Sequence, residues 1–370
     1  MTDRPVAPLI CPVCAEPLSA AGRTLRCPRG QAFDEAREGY VDLLPAGHGR
    51  SKIRGDAPEM VRARRRFLER GHYDGIAAAL EARAGLHVVE RAAGREATET
   101  TRGAPAAMVG PTERKGGPPG PAEAAPEPAG AVILEVGCGE GYYIGRLSRS
   151  LARKGRTLGA EDERGAAGAA EDNAAGRADA AGGAGSPGTA GRPGGPGAPV
   201  RCFGLDVSKH ALRLAARAHP AVRFFVNDVR YRICLADASV DVLLDVFAPR
   251  NPEEFARVVR PGGMLLVAIP NEGHLAELRA ELPLLGIEPD KRERVAAQLG
   301  GAFRPIGEDV LEYPTEMTGD DIADLLRMTP NYWHLGEAEL ERAAELPPRT
   351  VTVAVTVLAF LKDAKETSAG

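Results

Sequence analysis

From residue 131 onward, apolar side chains gather in short β-branched runs separated by stretches in which they recur every third or fourth position. The runs at 131–136, 202–205, 222–226, 240–247 and 264–269 predict strands. The stretches at 142–153, 209–218, 252–259 and 272–280 carry the helical period and predict helices. Strand alternating with helix is the pattern of a parallel sheet covered on both faces. A final run, 350–362, alternates Thr and Val and follows closely on Pro347 and Pro348, so it is expected to pair antiparallel with a neighbour. The first 45 residues differ in kind, with few periodic runs, as in a small module held by something other than an apolar core. Residues 56–85 look helical and bridge the two parts.

Composition removes two stretches from the folding argument. Residues 91–130 and 154–199 are Gly, Ala, Pro and charge with almost no large apolar side chain, and they are expected to be disordered because they bury too little surface to offset their ordering entropy. The chain therefore divides into a cysteine-containing module (1–50), a basic helical connector (51–90), a disordered linker (91–130) and a main domain (131–370) interrupted by a disordered insertion (154–199). No apolar run is long enough to span a membrane and no signal peptide is recognisable, so a cytoplasmic location is expected. Six cysteines in 370 residues do not form a disulfide framework, and reduced thiols are expected. The net charge of −4 argues against indiscriminate nucleic-acid binding. Locally, Arg50, Lys52, Arg54, Arg62, Arg64, Arg65, Arg66 and Arg70 form a basic stripe, which reads equally as a phosphate-facing surface or as a solvated helix face.

The chemistry concentrates in ILEVGCGEGYY, residues 133–143. A strand that runs into Gly137, Gly139 and Gly141 lets a ligand approach the backbone and the next helix N-terminus. The third glycine follows the second by two positions, and Glu135 lies within the strand; together these favour S-adenosylmethionine over a dinucleotide. Asp206 closes the second strand, where a carboxylate receives ribose hydroxyls, and its spacing from Gly141 becomes ordinary once the insertion is removed; a helix-capping aspartate is the alternative. Asp228 ends the third strand and is placed to reach the adenine amino group, although turn chemistry explains Asn227-Asp228 equally. Asp245 ends the fourth strand, facing the expected methyl acceptor, with Phe247 and Pro249 beside it. Near the N-terminus, Cys11-Pro-Val-Cys14 followed by Cys27 supplies three zinc donors, and the next spacing position is Gln31, a poor ligand. Asp34, His48 or a water are further candidates for the fourth donor, and a small apolar cluster of thiols is the alternative to a metal site.

The segments CPVC, LRCPRGQAFD, AREGYVDLL, RRRFLERGHY, VGCGEGYY, FGLDVSK, VFAPRNPEE, HLAEL and MTPNYWH resemble the large-subunit ribosomal RNA guanine-N1 methyltransferases, in particular the tylosin-resistance subgroup. The resemblance covers nearly the whole chain apart from the two insertions. It implies an α/β fold: a Rossmann-like class I S-adenosylmethionine-dependent methyltransferase domain with a small zinc-ribbon-like module that recognises an RNA hairpin. It places Tyr73, Gly139, Glu140 and His274 among the cofactor contacts, and Cys11, Cys14 and Cys27 among the zinc ligands, with Gln31 where the family has histidine. The implied reaction is methyl transfer to N1 of a guanine in a domain II hairpin loop of 23S rRNA, with macrolide resistance of the tylosin type as one biological role and routine rRNA modification as another. Asp245 is the candidate proton acceptor, and Phe247 or Trp333 could stack on the base, although Trp333 also reads as a core residue. A small-molecule methyltransferase is the alternative activity, and a non-catalytic RNA-binding protein a third. Whether the chain acts alone or as a homodimer is left open.

Overall fold

A computed structural model describes residues 4–45, 56–102, 130–153, 200–282, 284 and 286–363. Four short strands, β1 (Arg4–Ile10), β2 (Pro17–Ala21), β3 (Thr24–Arg26) and β4 (Ala32–Asp34), form an antiparallel N-terminal sheet. Then come β5 (Tyr40–Asp42), α1 (Pro58–Glu69), α2 (Asp74–Arg102), β6 (Val132–Val136), α3 (142–153), β7 (Arg201–Asp206), α4 (Lys209–Ala218), β8 (Val222–Val226) and β9 (Val240–Val246). The chain ends with α5 (Pro252–Val258), β10 (Val259–Pro270), α6 (Ala276–Glu281), α7 (Lys291–Leu299), β11 (Phe303–Met317), α8 (Gly319–Met328), a 3-10 turn (Pro330–Trp333), α9 (Glu337–Ala344) and β12 (Arg349–Lys362).

The large sheet has the order β11-β12-β10-β9-β6-β7-β8-β5. Its centre, β8-β7-β6-β9-β10, is parallel throughout and has the 3-2-1-4-5 order of a doubly wound sheet. The chain winds outward from β6 in one direction and resumes at β9 in the other, so a crevice opens between the C-terminal ends of β6 and β9. Both faces of the central strands are buried. Ile133, Val242, Leu244 and Val246 join Phe67, Tyr73, Ile144 and Leu212 in one core cluster. Leu134, Leu243 and Leu265 join Leu9, Cys11, Leu25, Phe225 and Phe255 in the other. β12 runs antiparallel to β10 and β11, as expected.

The structure departs from the sequence reading, or goes beyond it, in several places. The segment read as helical at 56–85 holds two helices, separated where Gly71 takes φ +85°. α2 continues to Arg102, into the stretch expected to be disordered; Ala, Glu and Arg extend a helix already nucleated and anchored by its first turns. The remainder of both low-complexity stretches, and His48, lie outside the described residues. The helix expected at 272–280 begins only at Ala276, after a turn in which Leu275 takes φ +57°. Finally, the N-terminal module does not stop short of the main sheet. β5 pairs in parallel with β8, and β1 meets the segment after β8 through Ile10 N–H to Cys234 O (3.1 Å) and Ala236 N–H to Pro8 O (2.9 Å). Among the described residues no helix is long and apolar enough to cross a membrane.

Candidate active site and metal centre

The crevice is walled by the turn after β6. Gly137 takes φ +63°, and a Cβ there would stand 2.7 Å from Ala248 Cβ, so only glycine lets the turn after β9 pack this closely. Gly139 and Gly141 also have positive φ. Asp206, 67 positions further along, returns to this turn: its Oδ2 accepts from Gly139 N–H (2.9 Å) and its Oδ1 from Ser208 N–H (2.8 Å). Burial raises the Asp206 carboxyl above the usual carboxylate range. The helix-capping alternative fails, because the side chain that caps α4 is Ser208, accepting from Ala211 N–H.

Glu140 lies beside Gly139, and neither of its carboxylate oxygens, both buried, has a hydrogen-bond donor. Burial pushes its carboxyl up to about 7, against the pull of the Arg64 guanidinium 3.8 Å away. A buried carboxylate without a donor calls for one from a ligand, and the hydroxyls and ammonium of S-adenosylmethionine meet that need. The residues present therefore fit the cofactor.

Glu135 is engaged differently from the expectation. It is buried inside β6, its Oε2 accepts from Ile144 N–H (2.9 Å) in α3, and burial pushes it up to about 8, with Glu140 and Asp206 nearby adding to the shift, so it ties strand to helix beneath the turn. Asp228 is also buried, and its Oδ1 accepts from Arg230 Nε (2.9 Å) and Arg230 N–H (3.1 Å), which closes the turn after β8.

Two residues distant in sequence meet at the other end of the crevice. His274 Nδ1 accepts from Ala354 N–H (3.2 Å), so the proton of the neutral imidazole resides on Nε2, which donates to the Tyr73 hydroxyl oxygen (3.1 Å). Burial holds His274 neutral by lowering it to about 4. The hydroxyl proton of Tyr73 is then left to donate toward a ligand. The Tyr73 ring meets Phe67 edge-on (5.1 Å between centroids) and lies 6.1 Å from the ring of Phe247. Phe247 follows β9 directly with φ +54° and is 43% exposed, an aromatic face held open at the end of the fourth strand of the doubly wound core.

Asp245 is engaged in the turn after β9. It is fully buried and shares the strand face of Leu243 rather than that of Leu244 and Val246. Its Oδ1 accepts from Ala248 N–H (3.1 Å), and Arg250 lies 3.5 Å from its Oδ2. Burial pushes it up to about 7. Its Oδ1 braces the turn after β9, while its buried Oδ2 has no hydrogen-bond donor among the described residues. Trp333 is half exposed, packed edge-on against Tyr332, and is not a core residue.

Arg50, Lys52 and Arg54 of the basic stripe lie outside the described residues; the remainder forms ion pairs along α1: Arg62 with Glu59, Arg65 with Glu69, Arg66 with Asp324, and Arg70 with both Asp321 and Asp324. Arg64 turns inward, pairs with Asp56 (2.5 Å), donates to Met328 O (3.1 Å) and stands over Gly139. The sequence reading missed this residue because a run of arginines carries no mark of which one faces inward. A cavity of about 540 Å³ opens between α1, α2, α3 and α4, walled by Glu140 of the turn and by Arg65, Arg146, Arg149, Arg153 and His219 with Glu69, Asp74 and Glu81.

In the N-terminal sheet, Cys11, Cys14 and Cys27 place their sulfurs within 4.8 Å of one another, and all six cysteines are free thiols. Val13 N–H and Arg29 N–H each point at a cysteine sulfur, Cys11 and Cys27, at 3.4 Å. A converging trio of thiols with backbone donors fits a soft divalent ion such as zinc. Asp34 is not part of it, since its Oδ1 accepts from Thr24 Oγ1 across β3 and β4.

Comparison with known proteins agrees with this architecture. Residues 9–52 match the family described as RlmA, N-terminal, a zinc ribbon. The chain is 36% identical over 358 residues, covering 95% of it and 96% of the relative, to a Micromonospora griseorubida protein assigned as a 23S rRNA (guanine-N(1)-)-methyltransferase. It is 33% identical over 350 residues, covering 94% of both chains, to a Streptomyces fradiae protein named 23S rRNA (guanine(748)-N(1))-methyltransferase. A Bacillus subtilis protein of the same assignment is 26% identical over 363 residues. With the zinc-ribbon segment, the doubly wound sheet and whole-length similarity in agreement, the chain belongs to the 23S rRNA (guanine-N1)-methyltransferase family, whose cofactor is S-adenosylmethionine.

Proposed function

We propose that the chain methylates N1 of a guanine in a domain II hairpin loop of 23S rRNA, the position named as guanine 748 in the Streptomyces fradiae relative, and that it does so in the cytoplasm, where ribosomes are assembled. The observation that carries this reading is Phe247: a half-exposed ring at the end of β9, 6.1 Å from Tyr73, in a turn packed on Gly137. A guanine turned out of its loop stacks on such a ring with its Watson-Crick edge toward the glycine turn.

S-adenosylmethionine, when bound, supplies a methyl on a sulfonium, and in-line displacement by N1 leaves a neutral thioether. Catalysis is then chiefly positioning. Asp206 and Glu140 would accept hydrogen bonds from the cofactor's hydroxyls and ammonium, the glycine turn would admit it to the backbone, and Tyr73, oriented by His274, would donate a hydrogen bond to it. Asp228 reaches the adenine amino group by parting from Arg230. Glu135 braces β6 against α3, and Asp245 braces the turn after β9. The guanine N1 proton passes to water at the open side of the crevice as the N–CH3 bond forms. The ribbon, fused to the main sheet through β5 and β1, presents the hairpin. Resistance to macrolides of the tylosin type follows from a methyl at that site in the drug-binding tunnel.

Primer extension on large-subunit rRNA incubated with protein and S-adenosylmethionine tests this. An N1 methyl blocks base pairing, so a new reverse-transcriptase stop in the domain II hairpin is expected. Cofactor binding without any stop in 23S rRNA would overturn the substrate assignment.

A further inference from the structure

We propose that Gln31 is the fourth zinc ligand of the N-terminal ribbon, through its side-chain carbonyl oxygen, giving a three-sulfur, one-oxygen site where the family resemblance implies three sulfurs and an imidazole. The inference rests on the ribbon geometry alone and is independent of the substrate assignment. Gln31 Oε1 lies 3.9 Å from Cys11 Sγ and 3.9 Å from Cys14 Sγ, and Cys14 Sγ lies 3.2 Å from Cys27 Sγ. A tetrahedral zinc with Zn–S near 2.3 Å and Zn–O near 2.1 Å requires sulfurs about 3.8 Å apart and sulfur-to-oxygen separations of about 3.6 Å. Gln31 Oε1 stands about 0.3 Å beyond the required separation from two of the sulfurs, Cys14 and Cys27 stand about 0.6 Å inside theirs, and all three sulfurs lie within 4.8 Å of one another, so a metal at their centre needs only sub-ångström adjustment of these contacts.

The backbone explains why this side chain arrives there. Cys27 N–H donates to Gln31 O (2.9 Å) and Gly30 N–H to Cys27 O (2.9 Å), with Gly30 at φ +92°, so the turn locks position 31 opposite Cys27. Among the described residues, no histidine or carboxylate joins the three thiols. A neutral amide oxygen leaves the charge of the site as it would be with a neutral imidazole, but it is a harder and weaker donor to a borderline-soft ion. The ribbon therefore holds zinc less tightly than an imidazole-completed site and exchanges it faster.

A competing arrangement has the Gln31 amide N–H groups donating to thiolates while water completes the metal. Zinc affinity of the full-length chain, measured by competition with a chromophoric chelator, separates the two. If the oxygen is a ligand, Gln31→Ala weakens zinc by at least about tenfold, Gln31→Glu holds it as tightly as Gln31 or more so, and Gln31→His tightens it and slows its release to chelator. The visible bands of the cobalt-substituted protein stay close to the parent's in Gln31→Glu and shift in Gln31→His, where nitrogen replaces oxygen. Unchanged affinity in Gln31→Ala, weaker binding in Gln31→Glu than in Gln31→Ala, or no stoichiometric zinc in the parent chain would each overturn the proposal.

Discussion

At the scale of single residues, the crevice separates groups that meet ligands from groups that brace them. Phe247 and Tyr73 belong to the first kind. Phe247→Ala removes the stacking face and is expected to lower turnover on rRNA by roughly 10- to 100-fold while leaving the dissociation constant for S-adenosylmethionine unchanged, as calorimetry would read. Asp245 belongs to the second kind. Asp245→Asn keeps the oxygen that accepts from Ala248 N–H, so near-parental turnover is expected; a large loss of kcat would return Asp245 to the proton-transfer step. The same buried groups set a pH window for folding. His274 and His219 are lowered to about 4 by burial, against about 6.5 in an unfolded chain. The unfolded chain therefore binds protons first as pH falls, and stability is lost between about 6.5 and about 4. Glu135 and Asp245, pushed up to about 8 and about 7, act oppositely: the folded chain keeps protons that the unfolded chain has released, and stability is lost as pH rises through those values. Thermal midpoints measured across pH should show both arms, with the acid arm shallower in His274→Gln.

At the scale of elements, α1 and α8 are joined by a cluster in which Arg66 and Arg70 converge on Asp324, which is buried while both arginines remain partly exposed. Since α1 leads directly to Tyr73, this cluster also sets where the crevice ends. Asp324→Ala is expected to cost about 1–3 kcal/mol in stability and to weaken cofactor binding, checked by denaturant melts and calorimetry; an unchanged melt would show that solvent already screens the pairs. The elements most legible in the sequence were the parallel strands, because burial on both faces makes them continuous apolar runs. β11 was not legible. Its segment carries Pro305, Pro314, Gly307 and five charged residues, and it reads as a loop until one sees that it is the edge strand, paired to β12 alone, where a missing N–H is tolerated. The glycine turn and Asp206 were legible from motif and spacing. The inward turn of Arg64 and the full burial of Asp245 were not, because each depends on which face of an element a neighbour occupies.

At the scale of the whole molecule, the ribbon is part of the catalytic domain's core rather than an appendage: Leu9, Leu18, Leu25 and Cys27 share a cluster with Phe203, Leu205 and Phe225. Removing zinc with a strong chelator is therefore expected to lower the thermal midpoint of the entire chain in one transition. Two separate transitions, with the main one unmoved, would show the ribbon to melt alone.

The placement of β5 also sets an order of events during synthesis. Tyr40 and Val41 are buried only when paired with Phe224 and Phe225. At about 5–20 residues per second, that partner leaves the ribosome some 10 to 40 seconds later. Throughout that interval the nascent chain carries an apolar strand edge with nothing to cover it. The two low-complexity stretches fall within the same interval and lengthen it, so their first physical consequence is a delay, felt before the enzyme exists.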